Sequence, residues 1–391
     1  MANKRAVVYG AGSIGRGFIA RLLYESGYEI TFIDITAPLI QALNTEKEYP
    51  VRLLSMEGQR DVIIKNFFVI NGKDEDAAVN AIAGTDIMVT ALGTRVLPLI
   101  ACVIAKGIKK RLGQGKPLDI IICENLINSD QVLEELVKNE FKKLNVNSRT
   151  IKLFAKHTGF IRASIGCMAP VQTDKMKDGN QLRICTEDYS IMPVDKKAFK
   201  GEVPSIMGME AQDNFNFSIE KKLFIHNMGH SSCAYLGLYK GYEYIYKSIQ
   251  DGDIFLTCEN AMLECAASLA QKHNIPIKDI YLHTQDLLKR FSNKLLWDTC
   301  QRVGSDITRK LSPGDRFMGA IRCCEGMNIK PFYITKGAAA ALYCYIKENS
   351  LSQTEKQARK IMGELCKLKK NTESHELMLC AYLTLVKTIS G

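Results

Sequence analysis

The rhythm of apolar positions changes once along this 391-residue chain. Up to about residue 190, short apolar runs alternate with segments whose apolar residues recur three or four apart. Beyond about residue 205 only the second kind remains. The mainly apolar runs at 6–9, 28–33, 86–90 and 118–123 have the form of strands buried on both faces of a parallel sheet. After the first of them, Ile14, Phe18, Ile19, Leu22 and Leu23 fall along one side of a helix. Helical spacing then predicts helices over 215–238, 260–272, 278–291, 336–346, 355–368 and 376–389. Only 201–209, with Pro204, and 328–333, with Pro331, interrupt that series. The pattern predicts an α/β chain: an N-terminal Rossmann-type doubly wound sheet over residues 1–195, followed by a mainly α-helical C-terminal domain over 196–391. A site shared by two such domains is expected in the cleft between them.

The turn after the first run carries chemistry. Gly10-Ala11-Gly12-Ser13-Ile14-Gly15 is a G-x-G-x-x-G placed between a strand and a helix, the context that gives this motif meaning. Gly10 permits the tight turn, Gly12 the approach of a pyrophosphate, and Gly15 the close packing of helix on strand. Ser13 and Ile14 open the helix, whose first N–H groups and dipole favour an anion. The second run ends in Asp34, at the distance expected of an acid that binds the adenosine ribose. Asp34 repels a 2′-phosphate, and no Arg stands at 35–40, so NAD is expected rather than NADP. Flavin uses the same loop and stays open as a rival. The later runs end in Thr90-Ala91-Leu92-Gly93 and in Glu124-Asn125. Ligands of a doubly wound sheet lie at such strand ends, which makes Thr90, Gly93 and Asn125 cofactor candidates and Glu124 a site candidate.

A second constellation lies in the helical half. Lys222, Asn227 and His230 form K-x4-N-x2-H on a predicted helix. At about 100° per residue, His230 lies about 80° and Asn227 about 140° round from Lys222, so all three border one side. A lysine serves as general base only if its pKa, ordinarily about 10.4, is brought down by loss of water and by cationic neighbours. The plainer reading is a solvated Glu220-Lys221-Lys222 run on a core helix.

Composition narrows the partners. The net charge of +10 fits nucleic acid, an anionic membrane or anionic small molecules. No basic tail or aromatic–basic interleaving supports nucleic acid. The most apolar window, 87–105, is broken by Arg95 and Pro98, which argues against a membrane span. Met1 to Arg5 lead straight into the first strand with no room for a signal peptide, and the 13 cysteines include no C-x-x-C. Both point to reduced thiols and a cytoplasmic protein. His226 and His230 stand i, i+4, but no third metal ligand has a matching spacing, so no metal is expected. An anionic small molecule with a dinucleotide is the most economical account.

Taken together, GAGSIGRG at 10–17, residues 31–34, Cys123-Glu124-Asn125, PSIMGME at 204–210, the stretch 222–230, residues 234–237 and RVGSDITRKLSPGDR at 302–316 resemble the polyol-specific long-chain dehydrogenases/reductases, the mannitol dehydrogenase family, over nearly the whole length. The resemblance implies NAD-dependent oxidation of a phosphorylated hexitol to a ketose phosphate, and the reverse, without a metal. It assigns Lys222 as general base, Asn227 as the amide polarising the reacting oxygen, His230 as the imidazole positioning substrate, and Glu124 as an acid that helps move the proton to solvent. Two stretches depart from the family pattern: Ile165-Gly166-Cys167 replaces Val-Asp-Arg, with Arg162 nearby as a substitute charge, and Ile191-Met192 replaces a Glu-Trp pair. They motivate two alternatives: a dehydrogenase of free polyols or hexuronates, or an NAD(H)-binding protein without turnover. For a substrate phosphate, Arg302, Arg309, Lys310 and Arg316 are the candidates; they serve equally well as ion-pair partners of Asp306 and Asp315.

Overall fold

The computed structural model describes residues 4–390. Met1–Asn3, expected to lead straight into the first strand, and Gly391 lie outside the described residues. The chain divides into two compact units, Met1–Phe215 and Asn216–Gly391.

The first unit is built on six parallel strands: β1 (Lys4–Tyr9), β2 (Tyr28–Asp34), β5 (Phe67–Asn71), β6 (Ile87–Thr90), β7 (Leu118–Ile122) and β8 (Thr158–Arg162). Their order across the sheet is β5-β2-β1-β6-β7-β8. Counted among the parallel strands alone this is 3-2-1-4-5-6, the doubly wound order whose switch point falls between β1 and β6. The apolar runs follow from burial on both faces. Val8, Phe32, Val89 and Ile121 belong to one core cluster, while their neighbours Val7, Ile33, Met88 and Ile120 belong to the other. Alternate residues of one strand thus enter different cores, as the pleat dictates.

The strands that periodicity does not announce are the small ones. β3 (Tyr49–Leu54) pairs with β4 (Gln59–Ile64) antiparallel and with β9 (Ile184–Glu187) parallel, forming a second sheet of three strands. β10 (Met192–Asp195) pairs with β11 (Met209–Gln212) in parallel. This last pairing carries the first unit on to Phe215, past the residue 195 expected from the change of rhythm.

The second unit is helical, and its close packing depends on small residues. In the helix Phe332–Glu348, Ala338, Ala339, Ala340 and Ala341 are fully buried. A methyl group at Gly337 of this helix would overlap Ser232 on the helix Met228–Lys240. The helix Gly252–His273 starts well before the predicted residue 260, at Asp251, whose side chain caps the Asp253 and Ile254 N–H groups. The same helix caps another: Glu264 accepts the Tyr333 and Ile334 N–H groups at 2.9 and 3.0 Å. That satisfies donors at the start of Phe332–Glu348, where Pro331 offers no side-chain cap. Among the described residues no helix is long and apolar enough to cross a membrane.

Candidate active site

At the switch point the glycine turn is pressed between strand ends. Gly10 has φ +105°, and a methyl group on it would lie 2.5 Å from Ala91 O, beyond the end of β6. A methyl on Gly15 would overlap Gly10 O, whereas one on Gly12 would meet nothing within 4 Å. The cramped glycines therefore shape the turn, and the open one leaves room for a ligand. The helix opens at Ser13, and its first backbone bond is Arg16 N–H to Gly12 O, 2.9 Å. The N–H groups of Ser13, Ile14 and Gly15 precede that bond, where an anion is favoured. Asp34 stands at the end of β2 and is half-buried. It accepts Ala11 N–H at 2.8 Å and Thr36 N–H at 2.9 Å, one on each oxygen. Burial raises the pKa of this carboxyl, but the Thr36 and Ala11 N–H bonds outweigh that and hold it below its ordinary value. A carboxylate has about four acceptor positions, so capacity remains for ribose hydroxyls. These residues fit a dinucleotide. Gly10, Gly12, Ser13, Ile14 and Gly15 would take its pyrophosphate and Asp34 its ribose.

Sequence reasoning passed over Arg16. It is buried, donates to Ala11 O at 2.7 Å and to Leu182 O at 2.8 Å, and lies 5.4 Å from the Tyr49 ring centre. It braces the turn from beneath. Gly17, the last glycine of GAGSIGRG, lets the same helix lie against β9, since a methyl there would come within 2.6 Å of both Ile184 and Thr186.

The other strand ends meet through Glu124. This buried acid accepts from Thr90 Oγ1 at 2.6 Å and Leu92 N–H at 3.0 Å, joining the ends of β6 and β7. Gly93, at φ +91°, and Asn125 are exposed beside it. The Gly166 departure faces Tyr189, whose hydroxyl would lie 3.3 Å from a methyl on Gly166. Arg162 is not a spare charge at this place. It pairs with Asp195 at 2.9 Å and Asp130 at 3.6 Å and lies over Phe215. Ile191 is exposed, and Met192 is buried in β10.

In the second unit the K-x4-N-x2-H stretch is not a plain α-helix. Phe215–Glu220 is α-helical, Lys221–Asn227 is a π-helix, and Met228–Lys240 is α-helical again. The α-helical angle between Lys222 and Asn227 therefore needs correcting: hydrogen bonds that span five residues bring residues five apart onto one side. The reason lies in burial. Leu223, Ile225, His226, Met228 and Gly229 are all buried. On an ideal α wheel Lys222 would fall roughly 260° from Leu223, between Gly229 and His226, inside the buried arc. The wider turn lets the apolar residues stay inside while Lys222, Asn227 and His230 all remain partly accessible.

The imidazoles separate into two kinds. His226 is fully packed, and burial, then Arg290 and His230, push its pKa well below the ordinary value. It is a neutral core residue. His230 lies flat on Phe291, ring centres 4.8 Å apart and planes 10° apart. Its Nε2 is 3.4 Å from Asp298 Oδ2. Burial lowers the His230 pKa against the pull of Asp298, so this ring is also neutral near pH 7. Among the described residues no three of His, Cys, Asp and Glu come together as metal ligands.

The basic run is committed to carboxylates and carbonyls. Arg302 grips Asp298 with two bonds of 2.5 Å, and Arg309 pairs with Asp306 at 2.5 Å and Asp315 at 2.7 Å. Arg316, buried, pairs with Asp315 at 2.8 Å and donates to Ser231 Oγ at 3.1 Å, one residue beyond His230. Lys310 is buried and donates to the Val303 and Ser305 carbonyls. Arg309 and Arg316 thus pair with Asp306 and Asp315 as the ion-pair reading has it, whereas Arg302 pairs with Asp298 and Lys310 with main-chain carbonyls. Asp298 and Phe291 escape sequence reasoning because both lie more than sixty residues beyond His230; the i, i+4 spacing of Asp298 and Arg302 is the one local clue.

Comparison with known proteins bears on both units. Solved structures of the same fold include a D-sorbitol dehydrogenase in substrate-free form, at a TM-score of 0.77 and 13% identity over 99% of this chain and 96% of that one. Another is the Pseudomonas fluorescens mannitol 2-dehydrogenase ternary complex with NAD and D-mannitol, at 0.75 and 15% over 99% and 94%. In sequence the chain is 35% identical to the mannitol-1-phosphate 5-dehydrogenase of Thermoanaerobacter pseudethanolicus, over 88% of this chain and 87% of that protein. It is 37% identical to that of Brevibacillus brevis over 86% and 85%, and 31% identical to that of Buchnera aphidicola over 98% and 99%. The mannitol dehydrogenase Rossmann domain matches residues 4–208 and the mannitol dehydrogenase C-terminal domain residues 216–378, and on that agreement across both units the chain belongs to the mannitol dehydrogenase family.

Proposed function

We propose that the protein oxidises a secondary hydroxyl of a phosphorylated hexitol with NAD+ and runs the reverse reduction with NADH, interconverting mannitol 1-phosphate and fructose 6-phosphate. The observation that carries this reading is the π-helical turn, which keeps Lys222, Asn227 and His230 accessible together in a chain that also has the Gly12 opening and Asp34. The relatives that are 31–37% identical over most of the chain bear the name of that phosphate-specific reaction.

Bound NAD+ supplies the hydride acceptor. Lys222, in its neutral form, takes the hydroxyl proton onto Nζ as the carbinol carbon is oxidised. Asn227 donates from its amide to the oxygen as it passes from alkoxide to carbonyl, a fixed dipole aimed at developing charge. His230, neutral and stacked on Phe291, holds a neighbouring hydroxyl and with it the reacting carbon. In reduction, Lys222 as ammonium returns the proton. Glu124 holds the loop after β6 and, in this reading, assists exchange of the proton with solvent. Gly93 and Asn125, exposed beyond the carboxyl ends of β6 and β7, would line the cofactor end, and Thr90, buried behind them, holds Glu124.

One observation favours a second reading, an unphosphorylated polyol or a hexuronate: each cation of the 302–316 run has an internal partner. Oxidation of NADH with fructose 6-phosphate, run beside fructose and a keto-uronate, tests both. Turnover that prefers fructose 6-phosphate by at least about tenfold in kcat/KM supports the phosphate reading, since one charge-assisted contact is worth about that much. Equal turnover of fructose overturns it, and tight NADH binding with no turnover overturns both.

A further inference from the structure

Substrate positioning by an imidazole needs the ring fixed in plane, in rotation and in tautomer. The Phe291 stack fixes the plane of His230 but leaves the ring free to turn within it. Its Nε2 is buried and makes no hydrogen bond of good geometry; Asp298 Oδ2, at 3.4 Å, is its ion-pair neighbour. Asp298 itself is rigidly placed. Its side chain is 5% exposed, both its oxygens are gripped by Arg302, its main-chain carbonyl accepts Ile245 N–H at 2.9 Å, and Thr299 beside it caps the next helix. A carboxylate so held stays ionised, and its pKa is brought down to about 2: burial opposes this, but His230 and Arg302 outweigh it.

We infer that Asp298 is the positioning residue of His230: it receives the Nε2 proton in a hydrogen bond and so presents Nδ1, with its lone pair, to a substrate hydroxyl. A neutral imidazole has one donor and one acceptor nitrogen, and the partner of the first decides which is the second. The 3.4 Å separation is long, as catalytic hydrogen bonds often are before substrate closes them. Arg302 then has a purpose other than phosphate binding: it keeps Asp298 charged and aimed. The inference rests on the reading of His230 as the residue that holds substrate.

The test uses the full-length protein. Ring-nitrogen ¹⁵N shifts of His230, identified by their loss in His230→Asn, are expected to show the proton on Nε2 in the wild type. In Asp298→Asn the two shifts should move toward each other as both tautomers become populated. A proton on Nδ1 in the wild type overturns the proposal without any variant, and so do unchanged shifts in Asp298→Asn. Kinetically, Asp298→Asn should lower kcat/KM for the ketose by roughly 10–100-fold, the worth of one hydrogen bond to a charged group. The double variant His230→Asn/Asp298→Asn should be no worse than His230→Asn alone. Losses that multiply in the double variant mean that Asp298 acts on something else. Emission of Trp297, the single tryptophan of the chain, reports whether each variant is folded. Should the wild type reduce no ketose phosphate, the proposed reaction fails, while the ring-nitrogen shifts still decide the role of Asp298.

Discussion

Asp34 holds Ala11: its Oδ2 accepts the Ala11 N–H at 2.8 Å, so the acid at the end of β2 also braces the turn that follows β1. Two consequences of removing it then point the same way. Asp34→Ala takes away the ribose acceptor and loosens the loop around Gly12. A hydrogen bond to a charged group is worth about 1.5–3 kcal/mol, so the Kd for NADH should rise roughly 10–100-fold. Titration of NADH fluorescence measures it, and a Kd within about threefold of wild type would falsify the assignment of Asp34.

Gly12 and Gly15 make opposite predictions from the same motif. A methyl on Gly12 meets nothing in the protein, so Gly12→Ala should fold with an unchanged Tm and lose NADH affinity by at least about tenfold, because the methyl occupies the place of the pyrophosphate. A methyl on Gly15 overlaps Gly10 O, so Gly15→Ala should lower Tm whether or not the cofactor is added. The pair is read by thermal unfolding with and without NAD. A Gly12→Ala protein that is still stabilised by NAD like the wild type contradicts the proposed path of the pyrophosphate.

The π turn gives the lysine its company, so chemistry should depend on that turn as well as on the lysine. Lys222→Ala should lower kcat by a factor on the order of 10³ or more with the Kd for NADH nearly unchanged. Asn227→Ala, which removes the amide presented by the same turn, should lower kcat by roughly 10²–10³-fold, the usual effect of losing one donor to a developing oxyanion. Oxidation should gain rate toward alkaline pH in the wild type, because the amine must be neutral to accept a proton and an ordinary lysine titrates near about 10.4. A folded Lys222→Ala protein with kcat near wild type would mean that another group takes the proton.

What the sequence makes legible follows from the range of the forces involved. The cofactor turn is a local device: spacing 10–15, an apolar run on each side and Asp34 suffice to place it, and β1, β2, β6 and β7 are mainly apolar because both faces are covered. β4 reads poorly because its residues are mostly exposed and its pairing with β3 is a matter of partners, not of rhythm. The helices of the second unit announce themselves by periodicity, yet the π turn at Lys221–Asn227 does not, since it is set by which residues the surrounding helices bury. Asp298 is invisible for the same reason: its relation to His230 exists only in three dimensions.

Glu124 has two candidate roles that kinetics separates. Its contacts with Thr90 and Leu92 make it a brace for the loop that carries Gly93. Glu124→Gln keeps the shape but sets an amide group against one of two donors. As a brace alone, Glu124 predicts NADH affinity lower by about tenfold, the worth of one lost charged contact, with kcat at saturating NADH within about threefold. A large loss of kcat at unchanged NADH affinity assigns it the proton-moving role instead.

Lys310 ties stability to pH. It is buried among Arg309, Arg316 and the Tyr235 ring, and burial first, then those two arginines, bring its pKa from 10.5 down to about 7. Between pH 7 and 10.5 the unfolded chain keeps a proton that the folded one has given up, so the unfolded state binds more protons and stability must rise with pH across that window. The gain from this one group between pH 7 and 10 is on the order of 3 kcal/mol. In Lys310→Met it disappears, although the Val303 and Ser305 carbonyls then lose their donor and the variant is less stable at every pH. Denaturant unfolding of both proteins from pH 7 to 10 isolates the effect, because every other titrating group contributes equally to the two curves. The difference in stability between wild type and Lys310→Met should widen steadily with pH; a constant difference means that Lys310 keeps its proton in the folded protein, held by those carbonyls as an ordinary ammonium.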